Sequence, residues 1–195
     1  MEDYFMEWET KNVDINLKLK NVSLETFLLT GQIDNLEIIN NLKQKVKERT
    51  KNSDLNYKTN VKGLFSGFHS LDEDKDFKSF IVLIGRSIKL ICNNNFRITD
   101  SWGNILKLND EVIPHNHIET SLFCGILYLT ENGPGTYFEE YDTTVEEKIG
   151  RFVLFSPILK HSVKKIKEDI ERITVAFNIG TIKSWDENKT EKIIL

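Results

Sequence analysis

From about residue 96 onward the sequence breaks into short aromatic or β-branched runs: "SLFCGILYL", "GTYFEEY", "GRFVLFS" and "RITVAFNI". Between them lie the polar stretches "TENGPG", "DTTVEEKI" and "SPILKHSVKKIKED". Several short strands at this spacing predict a sandwich or jelly roll rather than βαβ units. Upstream the period changes. Leu36, Ile39, Leu42 and Val46 recur at helical spacing within 35–49, with Asp34 or Asn35 available as a cap. Phe77, Phe80, Ile81, Ile84 and Ile88 do the same within 76–91, although the unbroken apolar run 81–84 would also suit a strand. The expected fold is mostly β with flanking helices (α+β), built on a double-stranded β-helix, the cupin-like jelly roll.

The chain of 195 residues suits one domain with a real core. We expect a mainly helical or mixed support over 1–95, a jelly-roll core over 96–180 and a C-terminal extension over 181–195. A hydrophobic content of 39% is too high for disorder, and a net charge of −4 gives no general pull toward nucleic acid. Two cysteines, Cys92 and Cys124, are too few for a disulfide scaffold, so a reducing cytoplasm is the simplest compartment. The acidic start "MEDYFMEWETK" has no signal-peptide character. The longest apolar run is interrupted by Arg86 and Lys89, which predicts no membrane span.

Histidine is scarce: His69, His115, His117 and His161. In "IPHNHIE" (113–119), His115, His117 and Glu119 fall on one face if the segment is extended. His161, after "GRFVLFSPILK", can return to the same cavity in a jelly roll. Together these residues supply enough ligands for one divalent metal with open positions, an arrangement that suits non-haem Fe(II). The alternative is a polar strand face that happens to carry histidine. In "ERITVAFNIG", Ile173, Val175, Phe177 and Ile179 form one face, while Arg172, Thr174, Ala176 and Asn178 form the other. An arginine pointing into a small barrel needs an anionic partner, because burying it unpaired costs several kcal/mol. A ligand carboxylate would serve. So would Glu171 or Glu139, or an exposed position at the strand end.

Other residues read more plainly. Trp102 is expected in the core, Cys124 as a small buried hydrophobe, His69 in a loop and "ENGPGTYF" as a turn before a strand. Asn178 suits a ligand contact or a backbone contact equally. The lysines of "KHSVKKIKED" fit a solvated loop.

Taken together, "PHNH…GILYL…GRFVLFSPILKHSV…ERITVAFNI" resembles the iron- and 2-oxoglutarate-dependent dioxygenases, in particular the subgroup common in marine phages and bacteria. The resemblance covers roughly 96–180. It implies a host-cytoplasmic setting if the source is viral. It implies Fe(II) as cofactor, 2-oxoglutarate as co-substrate and O2, with hydroxylation of a peptide or small-molecule substrate and release of succinate and carbon dioxide. The family's Arg-x-Ser pair corresponds to Arg172 and Thr174, and Tyr128 matches a tyrosine that helps hold the co-substrate carboxylate. The family's H-x-D motif has two matches here. One gives His115, His117 and His161, a three-histidine set with Glu119 behind it. The other gives His117, Glu119 and His161. Alignment of the strand Gly125–Tyr128 favours the first. A cupin-like three-histidine metalloprotein that does not use 2-oxoglutarate, and a metal-free jelly-roll binding module, are the competing readings.

Overall fold

The computed structural model describes residues 26–51, 59–91, 96–118 and 121–181. Expectations placed on 1–25, on Cys92 and Glu119, and on the extension beyond 181 lie outside the described residues. In chain order the elements are β1 (Leu28–Gln32), α1 (Leu36–Lys51), β2 (Val61–Lys62), β3 (Leu64–Phe65), α2 (Lys75–Ile91), β4 (Phe96–Leu106) and β5 (Glu111–His115). They continue with β6 (Phe123–Tyr128), β7 (Thr136–Phe138), β8 (Thr143–Val145), β9 (Arg151–Phe155), β10 (His161–Val163) and β11 (Arg172–Thr181).

Two antiparallel sheets face each other. The larger runs β1-β9-β6-β11-β4-β3 and the smaller β2-β5-β10-β7-β8. Apart from the consecutive pairs β3–β4 and β7–β8, neighbouring strands are non-consecutive in sequence, which marks the winding of a jelly roll. The strands before residue 96 were not expected as such. β1 pairs with β9 at one edge of the larger sheet, β3 pairs with β4 at the other, and β2 pairs with β5. Two of these are two-residue ladders, too short to leave a periodic trace in the sequence.

Both helices start on the residues their caps dictate. The Asn35 side-chain carbonyl accepts the Ile38 amide at 3.1 Å, and Asp74 accepts the amides of Asp76 and Phe77 at 3.0 and 3.2 Å. Within α2 the apolar run 81–84 obeys helical rather than strand periodicity. Ile81 and Ile84 are buried, whereas Val82 and Leu83 are more than half exposed. No helix among the described residues is long and apolar enough to cross a membrane.

The helices lie on the outer face of the larger sheet. Phe77 and Phe80 meet Phe177 of β11 edge-on at 5.8 and 5.7 Å, and Phe80 meets Phe152 of β9 at 6.2 Å. Pairs of this geometry add about 0.5–1.5 kcal/mol each beyond the area they bury. Two glycines make room for this layer. A Cβ on Gly103 would lie 2.5 Å from a methyl of Val46 on α1, and one on Gly125 only 2.1 Å from the tip of the Phe177 ring. Gly125→Val should therefore lower the unfolding free energy by about 1–3 kcal/mol or more through overpacking. Urea denaturation measures this, and an unchanged midpoint would contradict the packing described.

Candidate active site

Strand alternation divides β11 as the sequence predicts. Ile173, Val175, Phe177 and Ile179 join the helix-side core. Arg172, Thr174, Ala176 and Asn178 line a cavity between the two sheets. Neighbouring strands fix the rows. Thr174 lies beside Asn104 of β4 and Tyr128 of β6, Ala176 beside Trp102 and Ile126, and Asn178 beside Asp100 and Cys124.

The opposite wall carries the histidines. His115 ends β5 and is directly paired with His161, which begins β10. His117 lies just beyond β5, tied by its amide to the Pro157 carbonyl at 2.8 Å. One ring nitrogen from each of His115, His117 and His161 can lie within 4.8 Å of the other two. The His115 Nδ1 faces the Ile113 carbonyl at 2.9 Å, and the His161 Nδ1 faces the Leu159 carbonyl at 3.1 Å. A carbonyl only accepts, so Nδ1 carries the proton and Nε2 keeps its lone pair. Burial, first of all, lowers the basicity of all three rings. His117 falls to about 4 and His161 to about 3, and charge on neighbouring imidazoles adds to both. The set is thus neutral at pH 7, the form in which imidazole binds metal. Glu119 lies outside the described residues, so the register that uses it has no counterpart among them.

Arg172 is buried at 2% exposure, and no carboxylate of the described residues lies within 4 Å of it. The acids that sequence reasoning offered it are engaged elsewhere: Glu171 with Lys47 and Lys107 at 2.6 and 3.2 Å, and Glu139 with Lys160 at 3.3 Å. The Arg172 Nε donates to the Pro134 carbonyl at 2.9 Å and an Nη donates to the Thr136 hydroxyl at 3.1 Å. Its guanidinium lies 5.3 Å from the centre of the Tyr128 ring. The Tyr128 hydroxyl donates to the same Thr136 oxygen at 2.7 Å, and burial raises its pKa, so the phenol stays protonated. Thr136 Oγ1 therefore accepts twice, which leaves its own proton to donate.

Sequence reasoning missed this role of Thr136, which sat inside "ENGPGTYF", read as a turn before a strand. It also missed Glu147. That buried carboxylate accepts the Gly133 amide at 2.7 Å and the Thr130 hydroxyl at 2.5 Å, while Thr130 accepts the Ile173 amide at 2.7 Å. The turn bearing Pro134 and Thr136 is thereby clamped to β11. Asn104, which lines the cavity beside Thr174, was not singled out either; a lone Asn in a strand carries no signal of its own. Trp102 is core, as expected, and also cavity wall, 6.4 Å from the His117 ring. Cys124 lines the cavity with its thiol pushed up to about 12 by burial, an inert neutral group.

A second cluster with metal-ligating side chains joins His69 and Asp72 of the turn before α2 to Asp100 of β4, with only His69 exposed. Its members satisfy one another: the His69 ring meets Asp72 at 2.8 Å and the His69 amide donates to Asp100 at 2.8 Å.

The lowered histidine basicities set a pH dependence. Unfolded imidazoles take up protons below about 6.5, whereas the folded ones resist until about 4 or 3. The unfolded state thus binds more protons, so metal-free protein should lose stability as pH falls from 7 toward 4, the loss levelling off below the folded values. His161→Gln should remove part of that slope. Melting curves of both proteins across this range test it, and parallel slopes would show that the burial of His161 carries no proton linkage.

No protein-family model matches the sequence, and no curated protein matches it. Solved structures do match in fold. A viral collagen prolyl hydroxylase from Paramecium bursaria Chlorella virus-1, in complex with 2-oxoglutarate, is 14% identical with a TM-score of 0.61, covering 80% of this chain and 96% of its own. A Pseudomonas putida prolyl-4-hydroxylase is 12% identical with a TM-score of 0.63, covering 88% and 99%. HygX from Streptomyces hygroscopicus, with nickel and 2-oxoglutarate bound, is 10% identical with a TM-score of 0.60, covering 87% and 86%. At these identities the likeness is one of fold, the jelly-roll architecture that this chain shares with the two prolyl hydroxylases and HygX.

Proposed function

We propose that the protein is an Fe(II)- and 2-oxoglutarate-dependent dioxygenase that hydroxylates a peptide or small-molecule substrate. One observation carries the reading. Three neutral imidazoles converge in the same cavity as a buried arginine that has no carboxylate partner among the described residues. The donor set fits the metal, since three nitrogen ligands on one side leave the cavity side open. The arginine fits a diacid whose far end must be neutralised. The similar solved structures support the same reading, as two are prolyl hydroxylases and one holds a metal with 2-oxoglutarate.

When bound, iron with 2-oxoglutarate and O2 supplies the oxidising power for C–H hydroxylation, leaving succinate and carbon dioxide. The chain's own work is to hold, orient and exclude water. His115, His117 and His161 hold the metal, and the backbone carbonyls behind two of them keep Nε2 forward. Arg172, Thr174 and the free proton of Thr136 receive the far carboxylate. Tyr128 stands behind them: its ring backs the guanidinium and its hydroxyl orients Thr136. Phe155, 4.8 Å from the His161 ring, and Phe138, 6.0 Å from it, dry the histidine wall. With no carboxylate among its three ligands, the site is one unit more cationic than a two-histidine, one-carboxylate set. That same feature favours the second reading, a cupin-like metalloprotein that binds metal through the histidines without 2-oxoglutarate.

Anaerobic addition of Fe(II) and 2-oxoglutarate should produce a weak visible charge-transfer band. His161→Ala should abolish it, and Arg172→Ala should weaken 2-oxoglutarate binding by at least about tenfold, the loss of a buried charge-assisted pair. Iron binding without the band would favour the cupin-like reading, and no iron binding would leave a jelly-roll binding module.

The ligand set is tested separately. His115→Ala should abolish iron binding and Glu119→Gln should spare it. The opposite pattern in iron titrations would assign the site to His117, Glu119 and His161.

A further inference from the structure

Beyond the groups that hold metal and co-substrate, the cavity keeps two asparagines, Asn104 beside Thr174 and Asn178 further along β11, each with a buried carbonyl oxygen that no hydrogen bond among the described residues satisfies. Asn178 is 6% exposed, lines the cavity, and its carbonyl oxygen has no hydrogen-bond partner among the described residues. An acceptor buried in this state costs about 1–3 kcal/mol, and native proteins rarely leave one without a use. The register shows which ligand it addresses. Arg172 and Thr174 occupy one end of β11, and Trp102, beside Ala176, touches His117. Asn178 comes next, in the row of Cys124 and Phe155, and Phe155 packs on the His161 ring at 4.8 Å, so this row lies at the histidine end of the strand. At ~3.3 Å per residue it is ~20 Å along the strand from Arg172. A five-carbon diacid anchored on that arginine does not span the distance. It is also an acceptor at both ends, so it cannot donate to a carbonyl.

The neighbouring surface is aromatic. Phe68 is 48% exposed and packs edge-on against Phe65 at 5.0 Å and Trp102 at 5.5 Å. Trp102 in turn meets His117, so the aromatic wall runs from solvent to the histidines. Arg172 is the one permanently charged side chain lining the cavity among the described residues. Asp100, across from Asn178, already accepts the His69 amide at 2.8 Å and faces the His69 ring at 3.6 Å. Asp100 is not part of the cavity lining, so among the described residues that line this half none carries a charge to neutralise a charged guest.

Resting on the oxygenase reading, we propose that Asn178, Trp102 and Phe68 form the subsite for the primary substrate. The group it takes is uncharged, lays an apolar surface against the aromatic wall, and donates an N–H or O–H hydrogen bond to the Asn178 carbonyl. A capped peptide unit has these properties and a free amino acid does not.

The test uses the full chain loaded anaerobically with Fe(II) and 2-oxoglutarate. The probes are N-acetyl amides of proline, leucine and phenylalanine, alongside the same amino acids uncapped. Binding is read from the shift of the visible band. At least one capped amide should bind about tenfold or more tighter than its zwitterionic counterpart. Asn178→Leu should weaken that binding about tenfold while changing 2-oxoglutarate affinity by less than about twofold. Phe68→Ala, at an exposed position that does not threaten folding, should weaken it as well. Because Asn178→Leu removes an unpartnered buried acceptor, the metal-free variant should melt no lower than the parent; a purely structural asparagine would lower it. The proposal is overturned if no capped amide binds the loaded protein or if the uncapped forms bind equally well. It is also overturned if either variant leaves probe affinity unchanged, or if Asn178→Leu weakens 2-oxoglutarate in step with the probe. Absence of the visible band in the parent protein, seen before any probe is added, overturns the oxygenase reading itself and this inference with it.

Discussion

Because side chains alternate along a strand, β11 serves two neighbours with opposite demands. One face must be apolar enough to seal Phe77 and Phe80 against the sheet; the other must present a cation, hydroxyls and amides to a cavity. A slip of one residue in its pairing with β4 or β6 would drive Arg172 into the aromatic layer and Phe177 into the cavity. Register is therefore enforced from both sides at once. Gly125 enforces it further, since only a residue without a side chain fits under the Phe177 ring. Core packing and cavity chemistry are consequences of one strand alignment.

The buried Arg172 guanidinium is the most demanding guest of that alignment. Its cradle comes mostly from a different part of the chain, the turn after β6, which offers a carbonyl from Pro134 and a hydroxyl from Thr136. Glu147 holds this turn by the Gly133 amide and the Thr130 hydroxyl. A carboxylate thus supports the arginine without neutralising it. It shapes the loop and leaves the positive charge facing the cavity.

Much of this was legible in the sequence where periodicity is strong. The two helices follow from apolar residues at steps of three and four, and the two faces of β11 follow from simple alternation. The convergence of His115, His117 and His161 followed from strand placement and resemblance together. What escaped was set by contacts distant in sequence. The two-residue ladders of β2 and β3 exist because β5 and β4 lie beside them. Thr136 gained its place from Tyr128 and Arg172, and Asn104 from its position opposite Thr174; none of these pairings has a local signature. Tyr128, which the resemblance placed at the co-substrate carboxylate, has its hydroxyl on Thr136 and its ring against Arg172, two contacts that no local pattern announces.

The carbonyls of Ile113 and Leu159 each belong to the residue two places before the histidine they hold. These two imidazoles are therefore aimed by the backbone just before them, with no metal needed. If the proposed set holds the metal, a face set in advance and made only of nitrogen would have little means of telling one first-row divalent ion from another, and would tend to follow the Irving–Williams order. Which ion fills such a face is then decided outside the protein, by the supply of free metal around the folding chain.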